Sequence, residues 1–166
     1  MKTLTIDHKN GHSTTYQLIE DGSSLPIAYH LETPKEVINV LENCRKNRIR
    51  VKVYLGDIKT GRDWNEENDV TGYIGLSKGS EARFPILVHN ERSMGGGSLM
   101  DDCILKIKES KGKRVLYCNP IYKAPVIEIH EGSTIDGYTH VTLVNGETFG
   151  HHKSLASAKR LQTKLS

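Results

Sequence analysis

A chain of 166 residues with 36 % hydrophobic residues, 26 % charged residues and a net charge of +3 is long enough to bury a core and too apolar for a disordered segment. No apolar run approaches the roughly 18 residues of a membrane span, and residues 1–8 alternate without the apolar block of a secretion signal, so a cytoplasmic globular protein is expected. The three cysteines, Cys44, Cys103 and Cys118, are odd in number and lack ligand spacing; they suggest buried reduced thiols, not a disulfide framework or a zinc site.

In chain order, Leu4 and Ile6 alternate with Thr3 and Thr5, Asn10-Gly11 signals a turn, and Tyr16 and Leu18 bring the chain back as a β-hairpin. After a polar loop at 20–24, Thr33 suits an N-cap, Pro34 the first helical position and Glu36 the third, as in a capping box. Val37, Ile38, Val40, Leu41 and Cys44 then form one apolar stripe that leaves Lys35, Glu42 and Arg45 in water. Arg45, Lys46 and Arg48 complement the dipole at the helix end.

From residue 49 the period changes to two. Val51, Val53 and Leu55 alternate with Lys52 and Tyr54. A second strand at 70–76 is interrupted by Gly72 and Gly75, which points to a bulge, a tight bend or a close backbone approach. Residues 85–89 form a short apolar strand, and 103–108 pairs with 114–118 around Lys111-Gly112. Strands at 126–129 and 138–144 follow, then a second Asn-Gly turn at Asn145-Gly146. Ser154 caps a last helix with Leu155, Ala158, Leu161 and Leu165 on one face. The expected class is α+β: a mostly antiparallel, bent sheet or small SH3-like barrel with flanking β-hairpins and two helices. It is read as one domain, with a hairpin and helix at 1–48, a β core at 49–122 and a ββα part at 123–166.

Two loops stand out. Residues 57–69 hold the only Trp, Trp64, among Asp57, Asp63, Glu66, Glu67 and Asp69 and the cations Lys59 and Arg62. A turn needs no Trp, so the indole is either tucked under its own loop or part of a recognition surface. Residues 89–98 hold His89, Asn90, Arg92 and the glycines Gly95, Gly96 and Gly97, whose bare backbone suits a contact surface. A phosphate loop would need Gly-Lys-Ser/Thr opening a helix, and a calcium loop an oxygen ligand where Lys59 stands. The carboxylate pairs Asp63 with Glu66 or Glu67 and Asp101 with Asp102 are candidates for acid–base work, but no catalytic motif, metal set or cofactor signature emerges. His151-His152 are adjacent on an extended chain and point apart. Cations gather at 44–52, at 106–114 and on the last helix. Among them Arg45, Lys46, Arg48, Lys159, Arg160 and Lys164 are the candidates for a nucleic-acid-binding face.

The run from Gly61-Arg62-Asp63-Trp64 to Gly72-Tyr73-Ile74-Gly75, with Pro85-Ile86-Leu87-Val88, Gly95-Gly96-Gly97 and Tyr117-Cys118-Asn119-Pro120, resembles a set of uncharacterised proteins carried on bacterial plasmids, integrative elements and phages. The resemblance covers residues 49–122. It implies a setting in which small accessory proteins bind and block a host defence complex or handle nucleic acid. The function expected is a non-catalytic binding protein of a mobile element, meeting a host or element-encoded protein through the 57–69 and 89–98 loops. A nucleic-acid-binding module using the basic face is the alternative, and a small metal-dependent hydrolase a distant one.

Overall fold

Alternation of β-branched and polar residues dominates the chain, and it builds two sheets. The computed structural model describes residues 1–64, 70–89, 96–112 and 114–165. Its elements are β1 (Thr3–Asp7), β2 (Ser13–Ile19), β3 (Ile27–His30), α1 (Lys35–Lys46), β4 (Val51–Leu55), β5 (Val70–Lys78), β6 (Arg83–Val88), β7 (Gly96–Ser98), β8 (Ile104–Glu109), β9 (Val115–Cys118), β10 (Ile127–Glu131), β11 (His140–Val144), β12 (Glu147–His152) and α2 (Leu155–Leu165). The chain divides into two compact units, one within residues 1–122 and one within residues 123–166.

In the first unit the strands order β1-β2-β3-β6-β5-β4-β8-β9, with β7 added beside β6. The sheet stays open; of the two forms the sequence allowed, the barrel does not form. The amino-terminal hairpin does not pack on the sheet as a separate piece but extends it, because β3 pairs antiparallel with β2 and parallel with β6. Among the described residues all other pairings in the unit are antiparallel. Helix α1 lies on one face, burying Val37, Ile38, Leu41 and Cys44 against Val51 and Val53 of β4, Ile107 of β8 and Tyr117 of β9. Each such side chain removed from water contributes about 1.5–3 kcal/mol, and together they hold the helix to the sheet. Gly72 marks a close backbone approach, not a bulge. The β5–β6 register runs unbroken from Tyr73↔Val88 to Lys78↔Arg83, and a side chain at Gly72 would strike the Val88 carbonyl.

Three features of α1 depart from the sequence reading. Its cap residue is Pro34, with no side-chain cap bond, because the Thr33 hydroxyl is donated elsewhere. Glu42 is buried at 9 % exposure and accepts the Arg45 Nε–H at 2.7 Å, so neither side chain is left in water. The helix closes with Ile49 N–H to Cys44 C=O (3.0 Å) and Arg48 N–H to Arg45 C=O (3.4 Å). That pattern needs a left-handed residue, and Arg48 (φ 51°) fills the place usually taken by Gly.

In the second unit β10, β11 and β12 form an antiparallel meander, one strand more than expected. Asn145 (φ 52°) and Gly146 (φ 84°) make the two-residue turn that joins β11 to β12. Helix α2 packs on this meander through Ala158 and Leu165, but Leu155 is exposed. Ser154 Oγ accepts the Ser157 N–H at 3.2 Å, the expected cap. Beneath the helix, fully buried Thr142 meets His152 Nε2 at 2.9 Å, and His152 Nδ1 lies 3.2 Å from Ser157 Oγ. Among the described residues no helix is long and apolar enough to cross a membrane.

Candidate functional site

The loop after β4 is built on backbone bonds. Gly56 bridges to Asp63, Asp57 N–H reaches Arg62 C=O (3.0 Å), Gly61 N–H reaches Asp57 C=O (2.7 Å) and Trp64 N–H returns to Leu55 C=O (3.0 Å). Asp57 Oδ1 accepts the Lys59 N–H at 2.8 Å, an Asx turn that explains the aspartate without any ligand. Gly61 has φ +77° and sits on the Ile121 carbonyl, where a side chain has no room. The loop is thus held from both flanks, by Gly56 N–H to Cys103 C=O (2.9 Å) and by the packing of Gly61.

These constraints sort the side chains. Gly61 and Asp63 are buried; Ile58, Lys59, Arg62 and Trp64 are exposed. The Trp64 indole is not tucked under its own loop: 55 % of it faces solvent. Single exposed apolar side chains are ordinary on a protein surface; here Ile58 on the same loop is exposed as well. Glu66, Glu67 and Asp69 lie outside the described residues, as do Asn90, Arg92 and Gly95 of the second loop. His89 is exposed at the end of β6. Gly96 and Gly97 are strand residues of β7, opposite Val88 and Leu87 of β6.

The basic candidates are divided between the units. Arg45, Lys46 and Arg48 lie at the end of α1 in the first; Lys159, Arg160 and Lys164 lie exposed on α2 in the second. Arg45 is committed to Glu42, and Arg48 also has a partner. On the face of the sheet opposite α1, Lys52 and Lys106 each place Nζ 5.1 Å from the centre of the Tyr54 ring, and Lys106 stands 5.5 Å from that of Tyr122. Part of the basic character read from the sequence is therefore engaged in pairing and ring contacts, while Lys46, Lys159, Arg160 and Lys164 are exposed.

The cysteines differ from the expectation of buried thiols: Cys44 is buried, Cys103 intermediate and Cys118 exposed, all three free. Burial pushes the Cys44 thiol up to about 11. Burial first, then the Asp102 carboxylate, does the same to Cys103. His151 and His152 have separate partners, Ser133 Oγ (2.7 Å) and Thr142 with Ser157. No metal-ligating cluster occurs among the described residues.

One polar cluster escaped the sequence reading in part. Asp101 was visible only as half of a carboxylate pair, but it is 2 % exposed and reaches back to β3. Its Oδ2 accepts the His30 backbone N–H (2.9 Å) and the Thr33 hydroxyl (2.6 Å), and its Oδ1 lies 2.7 Å from His30 Nδ1. Asp102 stands 3.8 Å from the same nitrogen. The hydrogen bond to Asp101 raises the His30 pKa above its ordinary 6.5, against the opposing effect of burial. His30 lines a cleft of about 310 Å³ on the sheet face away from α1, beside Tyr16 and Phe84. The Tyr16 ring lies 5.1 Å from the imidazole and 5.3 Å from the Phe84 ring. No protein-family model matches this chain, and no curated protein or solved structure matches it.

Proposed function

We propose that this chain is a non-catalytic binding protein that meets a macromolecular partner through the loop carrying Ile58, Lys59, Arg62 and Trp64. The observation that carries this reading is an indole 55 % exposed on a loop already fixed by its own hydrogen bonds and by Gly61. Trp and Arg are the residues most often responsible for interface affinity, and a fixed loop loses little conformational freedom on binding. Lys59 and Arg62 stand between the two apolar residues in the sequence and are exposed with them, so the matching surface combines apolar area with acids. The resemblance of residues 49–122 to accessory proteins of mobile elements supplies the setting: a cytoplasmic partner, with an inhibitor of a host defence complex as the most specific version.

The test is affinity capture from a bacterial host lysate with the wild type, Trp64→Ala and the double variant Lys59→Glu, Arg62→Glu. A stoichiometric protein held by the wild type and lost by both variants supports the reading. Truncating a side chain this exposed costs roughly 2 kcal/mol of stability or less, so the variants remain folded. A partner retained by Trp64→Ala, or nucleic acid held instead of protein at about 150 mM salt, overturns it.

A further inference from the structure

The face of the first unit's sheet away from α1 carries a cleft whose walls are apolar and aromatic and whose one strongly organised polar group is an imidazole. Ile6 of β1, Tyr16 of β2 and Phe84 and Ile86 of β6 supply the apolar lining, with His30 and Asp101 at one side and Ser77 at the rim. At about 310 Å³ it is at the lower end of the range for small-molecule sites, and its composition of apolar walls with a few converging polar atoms is the usual one.

The His30 ring is fixed from behind. Asp101, almost wholly buried, takes the ring's Nδ1 at 2.7 Å on one oxygen. On the other it takes the His30 backbone N–H and the Thr33 hydroxyl. In the neutral ring a carboxylate at Nδ1 assigns the proton to that nitrogen and leaves Nε2 with a lone pair; in the protonated ring, which the bond to Asp101 favours, Nε2–H donates instead. Among the described residues Nε2 has no hydrogen-bonding partner. A ring so oriented beside an apolar wall is suited to a hydroxyl, which can accept from Nε2 as well as donate to it.

The charges around it select which donor. Asp101 and Asp102 both stand at Nδ1, at 2.7 and 3.8 Å. Two carboxylates around one imidazole leave this end of the cleft without net positive charge in either state of the ring, so an anionic ligand gains little there. The other titratable groups on the lining are His8, whose Nε2 lies 2.9 Å from Thr14 Oγ1, and Tyr16.

We propose that the cleft is a binding site for a small uncharged aromatic alcohol or phenol. Its ring lies against Tyr16 and Phe84, and its hydroxyl pairs with His30 Nε2, donating to the neutral imidazole and accepting from the protonated one. This site is separate from the Trp64 loop and does not depend on the function proposed for it.

The test uses the full chain, with p-cresol as the probe and toluene and benzoate as comparators, followed by two-dimensional NMR of the backbone amides and the imidazole nitrogens. Ser77→Phe fills the rim from an exposed position opposite Phe84 without touching the core. His30→Gln removes the imidazole. The expected result is saturable shifts from p-cresol centred on β2, β3 and β6, together with movement of His30 Nε2. Affinity should fall about tenfold or more in either variant and for toluene, the effect of losing one hydrogen bond or part of the contact area. Benzoate should also bind less well than p-cresol. Absence of saturable shifts, or affinity unchanged in Ser77→Phe, overturns the site. Benzoate binding as well as p-cresol overturns the ligand class. Should His30→Gln unfold, Ser77→Phe and the comparators decide alone.

Discussion

Thr33 tests whether a long-range bond or a local cap fixes the entry to α1. Thr33→Val keeps the volume of a side chain that is 3 % exposed and deletes the hydroxyl donated to Asp101 Oδ2 at 2.6 Å. A hydrogen bond to a charged acceptor contributes about 1.5–3 kcal/mol. Asp101 keeps two of its three donors, so the lower part of that range, about 2 kcal/mol, is expected here. Loss of an ordinary N-cap costs about 1 kcal/mol, too close for the single variant to discriminate. A double-mutant cycle with Asp101→Asn does discriminate. If the hydroxyl acts on Asp101, the two losses are coupled by about 1 kcal/mol or more, and Thr33→Ser is close to neutral. Urea denaturation followed by far-UV circular dichroism gives all the values needed. Additive losses, within about 0.3 kcal/mol, would return Thr33 to the role of a cap and refute the reasoning.

Other consequences are sharp enough to check. The exposed Cys118 should be the one thiol that reacts rapidly with a disulfide reagent at neutral pH, since Cys44 and Cys103 are both held at about 11 and present little thiolate; two fast thiols in a stopped-flow count would contradict this. Because the folded state raises the His30 pKa, it binds that proton more tightly than the unfolded chain does. The stabilisation is complete below the ordinary 6.5 and is lost as pH rises through the folded value. The stability difference between wild type and His30→Gln should therefore shrink from acid to neutral and alkaline pH, and a flat difference across urea titrations would refute it. Gly61→Ala should cost about 2 kcal/mol or more, from its left-handed φ together with the Ile121 carbonyl. Gly11→Ala, with a similar φ and open space around it, should cost only about 1 kcal/mol, and equal losses on thermal unfolding would remove the packing contribution.

What the sequence revealed follows the reach of each interaction. The alternation of Val51, Val53 and Leu55, the Asn145-Gly146 turn, the Ser154 cap and the apolar stripe of α1 are local, and each has its counterpart in the fold. Strand β3, Ile-Ala-Tyr-His, is buried along Ile27, Ala28 and Tyr29; a strand covered on both faces has no period to detect. Strand β7 begins with two glycines, poor strand formers, and exists because β6 offers it a partner. Thr33 had a plausible local role, but an acceptor 68 residues away took its hydroxyl. The same separation hid the His30–Asp101 pair, because no spacing rule links residues 71 apart. Trp64 was legible because composition alone made it odd.

One short segment accounts for how residues 56–64 are held. The 3₁₀ turn Asp101–Cys103 is bonded in two directions: the Asp101 side chain fixes it to β3 and to Thr33 ahead of α1, and the Cys103 carbonyl receives Gly56 N–H at the base of the Trp64 loop. A loop that is mostly charged has little apolar area with which to hold itself. Residues 56–64 are held by backbone groups set by that turn and by Ile121, so their exposed side chains need not serve the fold. Selection is then free to place Ile58, Lys59, Arg62 and Trp64 for an outside surface. Each of the four should be replaceable at little cost in stability, while the glycines and the buried Asp63 beneath them should not.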